Sequence, residues 1–396
     1  MKVMFLHRLW PVYGGGETVT VCLANEMVNR GIDVHVAYFR ESDKGLKRPM
    51  LDERIQCHLI EGVEFNEYSK DFFIKKHEAR YINEKLVGLI QCEHVDILHN
   101  QWWPVEFFKE AKIRTGIKVV TVLHMQVDIR KAVHFTGVTK LLFNLVEPFY
   151  RYVEKQKNLH RSDKYYQYSD KYIFLAKDFM DYYRKERGLS MDDGKIDYIY
   201  NPSTFNTYSD EEQLKEKMKE VLFVGRLVES HKQIFRLLQA WKLVLDKGVR
   251  GWRLTIVGDG PDRQRYEDFI VKKRIGNVYF EGFQQPLIYY KRASIFCMTS
   301  AYEGFCMTLL EAMQNGCVPV VMDTFAACRV IVQDGKNGIL VEDGDVNAFA
   351  NAVMCIIENR DLRIKLKKNG LKSCRAFHVT KIVDRWEQLY NELIVK

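Results

Sequence analysis

The chain has 396 residues, 47% hydrophobic and 28% charged, which is material for two cores and excludes disordered, collagenous and low-complexity classes. No run approaches the ~18 uninterrupted apolar residues of a spanning helix, so no membrane-crossing segment is expected. The formal net charge of +8 suits an anionic partner, and residues 129–165 carry eight Lys/Arg against three acids.

The start, Met1-Lys2-Val3-Met4-Phe5-Leu6-His7-Arg8, is too short in its apolar stretch for a signal-peptide core and reads as a first strand. From there, short β-branched and aromatic runs alternate with amphipathic stretches, the pattern of a parallel sheet with crossover helices. Strands are predicted at about 2–6, 34–39, 55–60, 95–99, 117–123, 171–175 and 195–200, with helices at about 16–30, 70–91, 104–114, 138–158 and 177–187. Asn201-Pro202-Ser203 ends a strand and marks a boundary. The alternation then restarts, with strands near 220–225, 253–258, 277–281, 294–299, 318–322 and 337–341. Helices are expected near 231–247, 261–274, 286–292, 305–315, 324–333 and 345–358, and a last amphipathic helix over 380–395. Two Rossmann-like, doubly wound α/β domains follow from this.

Nine cysteines, an odd number without a Cys-x-x-Cys pair, argue for a reducing cytoplasm and against a disulfide framework or zinc site. Each is read as a small buried hydrophobe. The equal spacing of Cys306, Cys317 and Cys328 places them on separate elements.

In the first half, Gly14-Gly15-Gly16-Glu17 follows the first strand and opens a helix, where backbone without Cβ atoms can approach a phosphate or sugar. It is not a dinucleotide fingerprint, because Val19 stands where the last glycine belongs. His99 and His124 end strands at the carboxyl edge of the sheet, where ligands of such folds bind, and Asp128 is an alternative base close by. The basic stretch 129–165 interleaves its cations with Phe135, Phe143, Phe149, Tyr150 and Tyr152, the composition of an interfacial helix at an anionic leaflet or of a core helix with a solvated basic face. No nucleic-acid module accompanies it.

The strongest pattern lies in the second half. An apolar strand, Ile295-Phe296-Cys297-Met298, runs through Glu303-Gly304 directly into the helix Phe305-Cys306-Met307-Thr308-Leu309-Leu310-Glu311. A helix start at a strand's carboxyl end offers free N–H groups to a phosphate. Glu303 is placed to accept bonds from sugar hydroxyls and Glu311, about two turns along, to reach a ribose; the plain alternative is a capping acid and a solvated one. Fixed cations would stabilise the charge that develops on a nucleotide diphosphate leaving group, and Arg226 and Lys232 are the candidates. The lone Asp-x-Asp, Asp343-Gly344-Asp345, reads as a helix N-cap, so no metal is expected.

Glu303 through Glu311 resembles the E-x7-E motif of retaining glycosyltransferases of family 4, which have the GT-B architecture of two Rossmann-like domains facing across a cleft. Val224-Gly225-Arg226-Leu227 with Lys232 resembles the family's G-R-L…K element, with six positions from Arg226 to Lys232 where five is usual. Val257-Gly258-Asp259-Gly260-Pro261 resembles its V-G-x-G-P turn, Phe280-Glu281-Gly282-Phe283 with Tyr289-Tyr290 its F-x-G…Y-Y segment, and Tyr200-Asn201-Pro202 its hinge. The glycine loop resembles G-G-x-E and His124 the cleft histidine. The resemblance implies a donor site of Gly225, Arg226, Lys232, Gly282, Phe283, Glu303, Gly304, Phe305, Cys306, Met307, Thr308, Leu309 and Glu311, with Glu303, His124, Arg226 and Lys232 serving catalysis. It implies an acceptor side of Gly15, Gly16, Glu17, His99, His124 and Asp128.

The reading is therefore a metal-independent hexosyltransferase with no cofactor. It would use an NDP-sugar, with UDP-hexose favoured, and a lipid-linked or cell-surface glycan as acceptor. Residues 1–202 would form the acceptor domain, with 380–396 packing back on it, and 203–379 the nucleotide-sugar domain. A cytoplasmic location is expected, with contact at the inner membrane face through 129–165 left open. A nicotinamide-dependent oxidoreductase and a catalytically silent membrane-associated scaffold are the alternatives.

Overall fold

The computed structural model describes residues 1–10, 14–41, 51–61, 76–101, 103–125, 138–205 and 217–395. It divides into two compact units: 1–127, 154–204 and 379–396 form unit 1, and 128–153 with 205–378 form unit 2.

Unit 1 is built on β1 (Lys2–Trp10), β2 (Asp33–Glu41), β3 (Gln56–Leu59), β4 (Ile97–Asn100), β5 (Lys118–Leu123), β6 (Lys171–Phe174) and β7 (Ile196–Tyr198). All pairings are parallel, in the order β3-β2-β1-β4-β5-β6-β7. Crossovers run through α1 (Gly15–Asn29), α2 (Lys76–Glu93), α3 (Lys109–Thr115), the part of α4 (Val138–Tyr168) from Glu154 on, and α5 (Lys177–Arg187); α4 up to Val153 belongs to unit 2. Strands buried on both faces must be apolar throughout, and Val3, Met4, Phe5 and Leu6 of β1 are fully buried. The strand order reverses between β1 and β4, and the loops at that switch form the natural ligand crevice.

Unit 2 repeats the plan with β8 (Met218–Val224), β9 (Arg253–Val257), β10 (Val278–Gly282), β11 (Ala293–Met298), β12 (Val318–Asp323) and β13 (Ile339–Glu342), ordered β10-β9-β8-β11-β12-β13, again parallel. Its helices are α6 (Glu229–Lys232), α7 (Ile234–Asp246), α8 (Arg263–Lys273), α9 (Leu287–Arg292), α10 (Met307–Gln314), α11 (Ala326–Ile331), α12 (Val346–Glu358) and α13 (Arg360–Cys374). Phe223, Leu237, Trp241, Ile256, Val320 and Phe349 anchor its core. The switch here lies between β8 and β11.

The last helix, α14 (Val379–Ile394), belongs to unit 1. Val379, Ile382, Val383, Trp386, Leu389, Tyr390 and Leu393 recur at three- and four-residue intervals and are all buried. Arg30, the residue that caps the end of α1, ties it down, donating to Asp384 at 2.6 Å, Glu387 at 3.0 Å and the Thr380 carbonyl at 2.7 Å.

Several expected elements change. The helix expected over 231–247 is broken at Gln233, whose φ of 48° separates α6 from α7. The 104–114 helix starts as a 3-10 turn at Val105–Phe107 before α3, and the 138–158 helix runs on to Tyr168 past Pro148. Helix α13 was not expected. Three cysteines read as buried, Cys57, Cys92 and Cys355, are exposed, because their side chains fall on solvent faces of their elements. Cys297, Cys306, Cys317, Cys328 and Cys374 are buried, and all nine are free thiols.

Candidate functional sites at the two sheet switches

In unit 2 the chain leaves β8 at Gly225 and turns against the loop after β9. The Gly225 amide donates to the Val257 carbonyl at 3.0 Å and Leu227 to Asp259 at 2.9 Å. Gly258, at φ 135°, lies so close that a Cβ there would stand 1.9 Å from the Gly225 carbonyl oxygen, and one at Gly260 2.4 Å from that of Leu227. Only glycine fits this contact, which explains the V-G-x-G-P spacing in steric terms.

The loops after β8 and β11 are joined. The Ala301 amide donates to the His231 carbonyl at 2.8 Å, and the Thr299 hydroxyl reaches the carbonyls of Lys232 and Gln233 at 3.0 and 3.1 Å. Lys232 Nζ then meets Glu303 Oε1 at 2.5 Å, with both side chains about nine-tenths buried. His231 Nε2 stands 3.6 Å from the other carboxylate oxygen, its ring stacked on Tyr302 at 4.5 Å. Burial alone would raise the Glu303 carboxyl, but the Lys232 ammonium and the His231 ring overcome it and hold it down at about 2. Burial works against the Lys232 charge as well, and the Glu303 carboxylate outweighs it, raising Lys232 above its ordinary value.

Each of these loops contains a left-handed non-glycine residue, Gln233 beside Lys232 and Cys306 (φ 54°) beside the start of α10. Such conformations cost about 1–3 kcal/mol each and concentrate where a backbone must be aimed. Cys306 gives α10 no side-chain cap and the first turn holds no acid; the Leu309 amide donates to the Cys306 carbonyl at 3.2 Å, which leaves the amides of Met307 and Thr308 for an anion. Arg226 is exposed, with no side-chain partner among the described residues. Glu311 accepts from the buried Tyr290 hydroxyl at 2.9 Å. Gly282 accepts from the Gly258 amide at 2.7 Å, and Phe283 is exposed. The side chains of Phe305, Cys306 and Leu309 are buried, while Gly304, Met307 and Thr308 are half-buried. The Asp-x-Asp behaves as a cap: Asp345 accepts from the Ala348 amide at 2.8 Å and Asp343 pairs with Arg236 at 2.6 Å.

In unit 1 the corresponding edge is lined by three imidazoles. His99 is fully buried, with Nδ1 2.5 Å from the Tyr390 hydroxyl, and packs between Phe5 and Trp386. The half-buried His124 is hydrogen-bonded through Nε2 to Gln101 Oε1. Gln101 Nε2 lies 3.4 Å from His99 Nε2. His7, which sequence reasoning passed over, bonds to Thr20 Oγ1 at 2.9 Å, and Thr20 donates to the Gly16 carbonyl at 3.1 Å. Burial drives His7 down to about 3, with a further push from His124; it holds His124 at about 4 and, with His124 and His7, keeps His99 well below its usual range. The three imidazoles are neutral at physiological pH.

The Glu17 carboxylate folds over Gly14 and is raised by burial, with its own amide opposing. Gly15 and Gly16 form the start of α1. Asp128 lies outside the described residues, as do Arg130, Lys131 and Phe135. In the described part of α4, Phe149 and Tyr152 are 73% and 60% exposed. Its cations are largely paired: Arg151 with Glu147, Lys155 with Glu186 at 2.8 Å and Lys157 with Glu154 at 3.1 Å. No helix among the described residues is long and apolar enough to cross a membrane.

Comparison with known proteins gives two adjoining family matches, Glycosyltransferase Family 4 over residues 13–203 and Glycosyl transferases group 1 over 204–373. Poly(glycerol-phosphate) alpha-glucosyltransferase of Bacillus subtilis is 22% identical over 96% of this chain, which spans only 57% of that relative's length. Sucrose-phosphate synthase from Thermosynechococcus elongatus superposes with a TM-score of 0.75 at 17% identity, covering 100% of this chain and 99% of that one. Anabaena HepE in complex with UDP and glucose does so with a TM-score of 0.73 at 18% identity, covering 99% of each chain.

Proposed function

The chain belongs to glycosyltransferase family 4 and has the GT-B fold, and on that premise we propose that it is a retaining hexosyltransferase of polysaccharide biosynthesis. The donor is an NDP-sugar, with UDP-hexose favoured, and the acceptor is a lipid-linked or cell-surface glycan. The observation that carries the reading is the pairing of Lys232 with Glu303 beside the exposed Arg226 and the uncapped start of α10. Solved complexes of HepE with UDP and glucose, and the alpha-glucosyltransferase name of the Bacillus relative, support it.

The chemistry follows from the donor sets. Lys232 has three N–H donors, one of them on Glu303, which leaves two for a diphosphate. Arg226 and the α10 amides add to that cradle, and all of them gain strength as the leaving oxygen becomes charged. These fixed cations favour a route without a divalent ion. Glu303, ionised at any physiological pH, accepts bonds from the sugar hydroxyls, and Glu311 from the ribose. In unit 1, His124 recognises a hydroxyl rather than a charge. A leaving phosphate oxygen takes the acceptor proton on the face it departs from, so configuration is retained without an enzymic nucleophile. The exposed Phe149 and Tyr152 of α4 make peripheral contact with an anionic leaflet, weakened by the carboxylates already paired to the helix cations.

The test is turnover with a panel of UDP-hexoses and a polyprenyl-linked glycan acceptor, with and without EDTA. Activity that survives chelation, a lowered kcat in Glu303→Ala and weakened donor binding in Glu311→Ala are expected. Equal and negligible effects of both substitutions would reject the donor site, and loss of turnover in EDTA restored by Mn²⁺ would reject the metal-free route.

A further inference from the structure

The polar atoms at the unit 1 edge form a chain whose proton positions can be counted. Burial keeps His99 and His124 neutral, so each ring has one N–H and one lone pair. The Gln101 carbonyl oxygen can only accept, which puts the His124 proton on Nε2. The Gln101 amide nitrogen can only donate, so His99 Nε2 is the acceptor and its proton sits on Nδ1, pointing at the Tyr390 oxygen. His124 Nδ1 is left as a lone pair, with no partner among the described residues.

We propose that Gln101 is a positioning residue that fixes the tautomer and ring orientation of His124, and that Tyr390 of the terminal helix anchors it through His99. The four groups are coupled: with the Gln101 amide as placed, His124 carries its proton on Nε2, and reversing that tautomer would require Gln101 to turn its amide over and His99 and the Tyr390 hydroxyl to exchange donor and acceptor roles with it. One glutamine, held at 8% exposure between the two rings, thus presents His124 as an acceptor for a hydroxyl. Tyr390 is buried on α14, which makes the end of the chain part of the site's support although it touches no substrate group. Among the described residues, the titratable groups facing His124 are His7 of β1 and His99 of β4, neither of which carries a charge to orient it. This inference rests on the reading that His124 serves the transfer.

The experiment is nitrogen-15 NMR of the histidine-labelled full chain, combined with kinetics. Wild type should show the Nε2-protonated pattern for His124 and the Nδ1-protonated pattern for His99. In Gln101→Met, a near-isosteric change, His124 should average between tautomers while kcat falls about tenfold to a hundredfold, by analogy with the loss of a partner that orients a metal-bound histidine, with UDP affinity unchanged. Tyr390→Phe should shift the His99 signals. In Gln101→Glu the acceptor for His124 survives but its negative charge favours the imidazolium, so the acid limb of the activity profile should move to higher pH. An Nδ1-protonated His124 in wild type, or unaltered His124 signals in Gln101→Met, would overturn the positioning role. Full turnover in His124→Ala would instead overturn the reading on which it rests.

Discussion

The two sheets have the same plan and opposite electrostatics. In both, the first strand and the one beyond the order reversal, β1 with β4 and β8 with β11, end in the loops that carry the candidate groups. In unit 2 those loops hold a buried ion pair, an exposed guanidinium and an uncapped helix start, a surface for an anion. In unit 1 the carboxyl edge of the sheet holds three imidazoles kept neutral by burial, His7 in β1, His99 in β4 and His124 just after β5, a set of donors and acceptors without imidazolium charge. On the proposed reading, the topology sets where ligands bind and a few side chains set whether the place suits a diphosphate or a hydroxyl.

The sharpest way to break the comparison is to unpair the charge in unit 2. Lys232→Met strands the Glu303 carboxylate in a buried setting and should cost about 3–5 kcal/mol of unfolding free energy, whereas Lys232→Met with Glu303→Gln should recover most of it. Urea unfolding followed by tryptophan fluorescence reads both; equal losses in the two variants would mean that the pair is not buried as described.

Arg226→Ala comes next in size. Because Arg226 is exposed, stability should not change, but kcat/KM should fall by an amount equivalent to about 2–4 kcal/mol, as for other preorganised electrostatic donors. Unchanged kinetics would leave unit 2 without its external cation.

Acid should separate the two edges by sign and by window. His7 and His99 have folded values far below their ordinary 6.5, so the unfolded chain binds protons first and their contribution is full above 6.5 and lost as pH falls through the folded values, about 3 for His7. Each such imidazole costs about 1.4 kcal/mol per pH unit in that range. Glu303, held at about 2 against an ordinary 4.5, contributes fully above 4.5 and loses its share only below it. Unit 1 should therefore weaken between pH 6.5 and 4.5 while the Glu303 pair is still intact. Hydrogen exchange resolved by segment across that range reads this, and simultaneous loss in both units would contradict it.

The smallest effect belongs to α4. Vesicles with anionic lipid should retain the protein better than neutral ones, and Phe149→Ser with Tyr152→Ser should lower that retention without changing turnover on a soluble acceptor. Retention that is equal on both vesicle types and insensitive to salt would count α4 as a solvated helix.

Much of this was legible in the sequence because parallel strands are apolar runs and their connections are long. The loops of Gly225, Gly258 and Glu303 were visible as spacing. What spacing could not show was that Lys232 and Glu303 satisfy each other, since 71 positions separate them and only the β8–β11 adjacency brings them together. His7 was hidden inside an apolar strand, and Gln101 and Tyr390 carry no chemistry alone; a histidine in or just past the carboxyl half of each of three neighbouring strands, β1, β4 and β5, was the available signal. Helix α13 escaped because it buries only Leu366, Gly370 and Cys374, too sparse a stripe to announce a helix.

The most direct test is calorimetric titration of UDP into wild type, Arg226→Ala and His124→Ala. The account predicts binding weakened at least about tenfold in Arg226→Ala, the lower end of what one charged hydrogen-bonding group contributes, and unchanged in His124→Ala. The reverse pattern, or equal losses in both, would contradict the assignment of the anion to unit 2 and the neutral hydroxyl to unit 1.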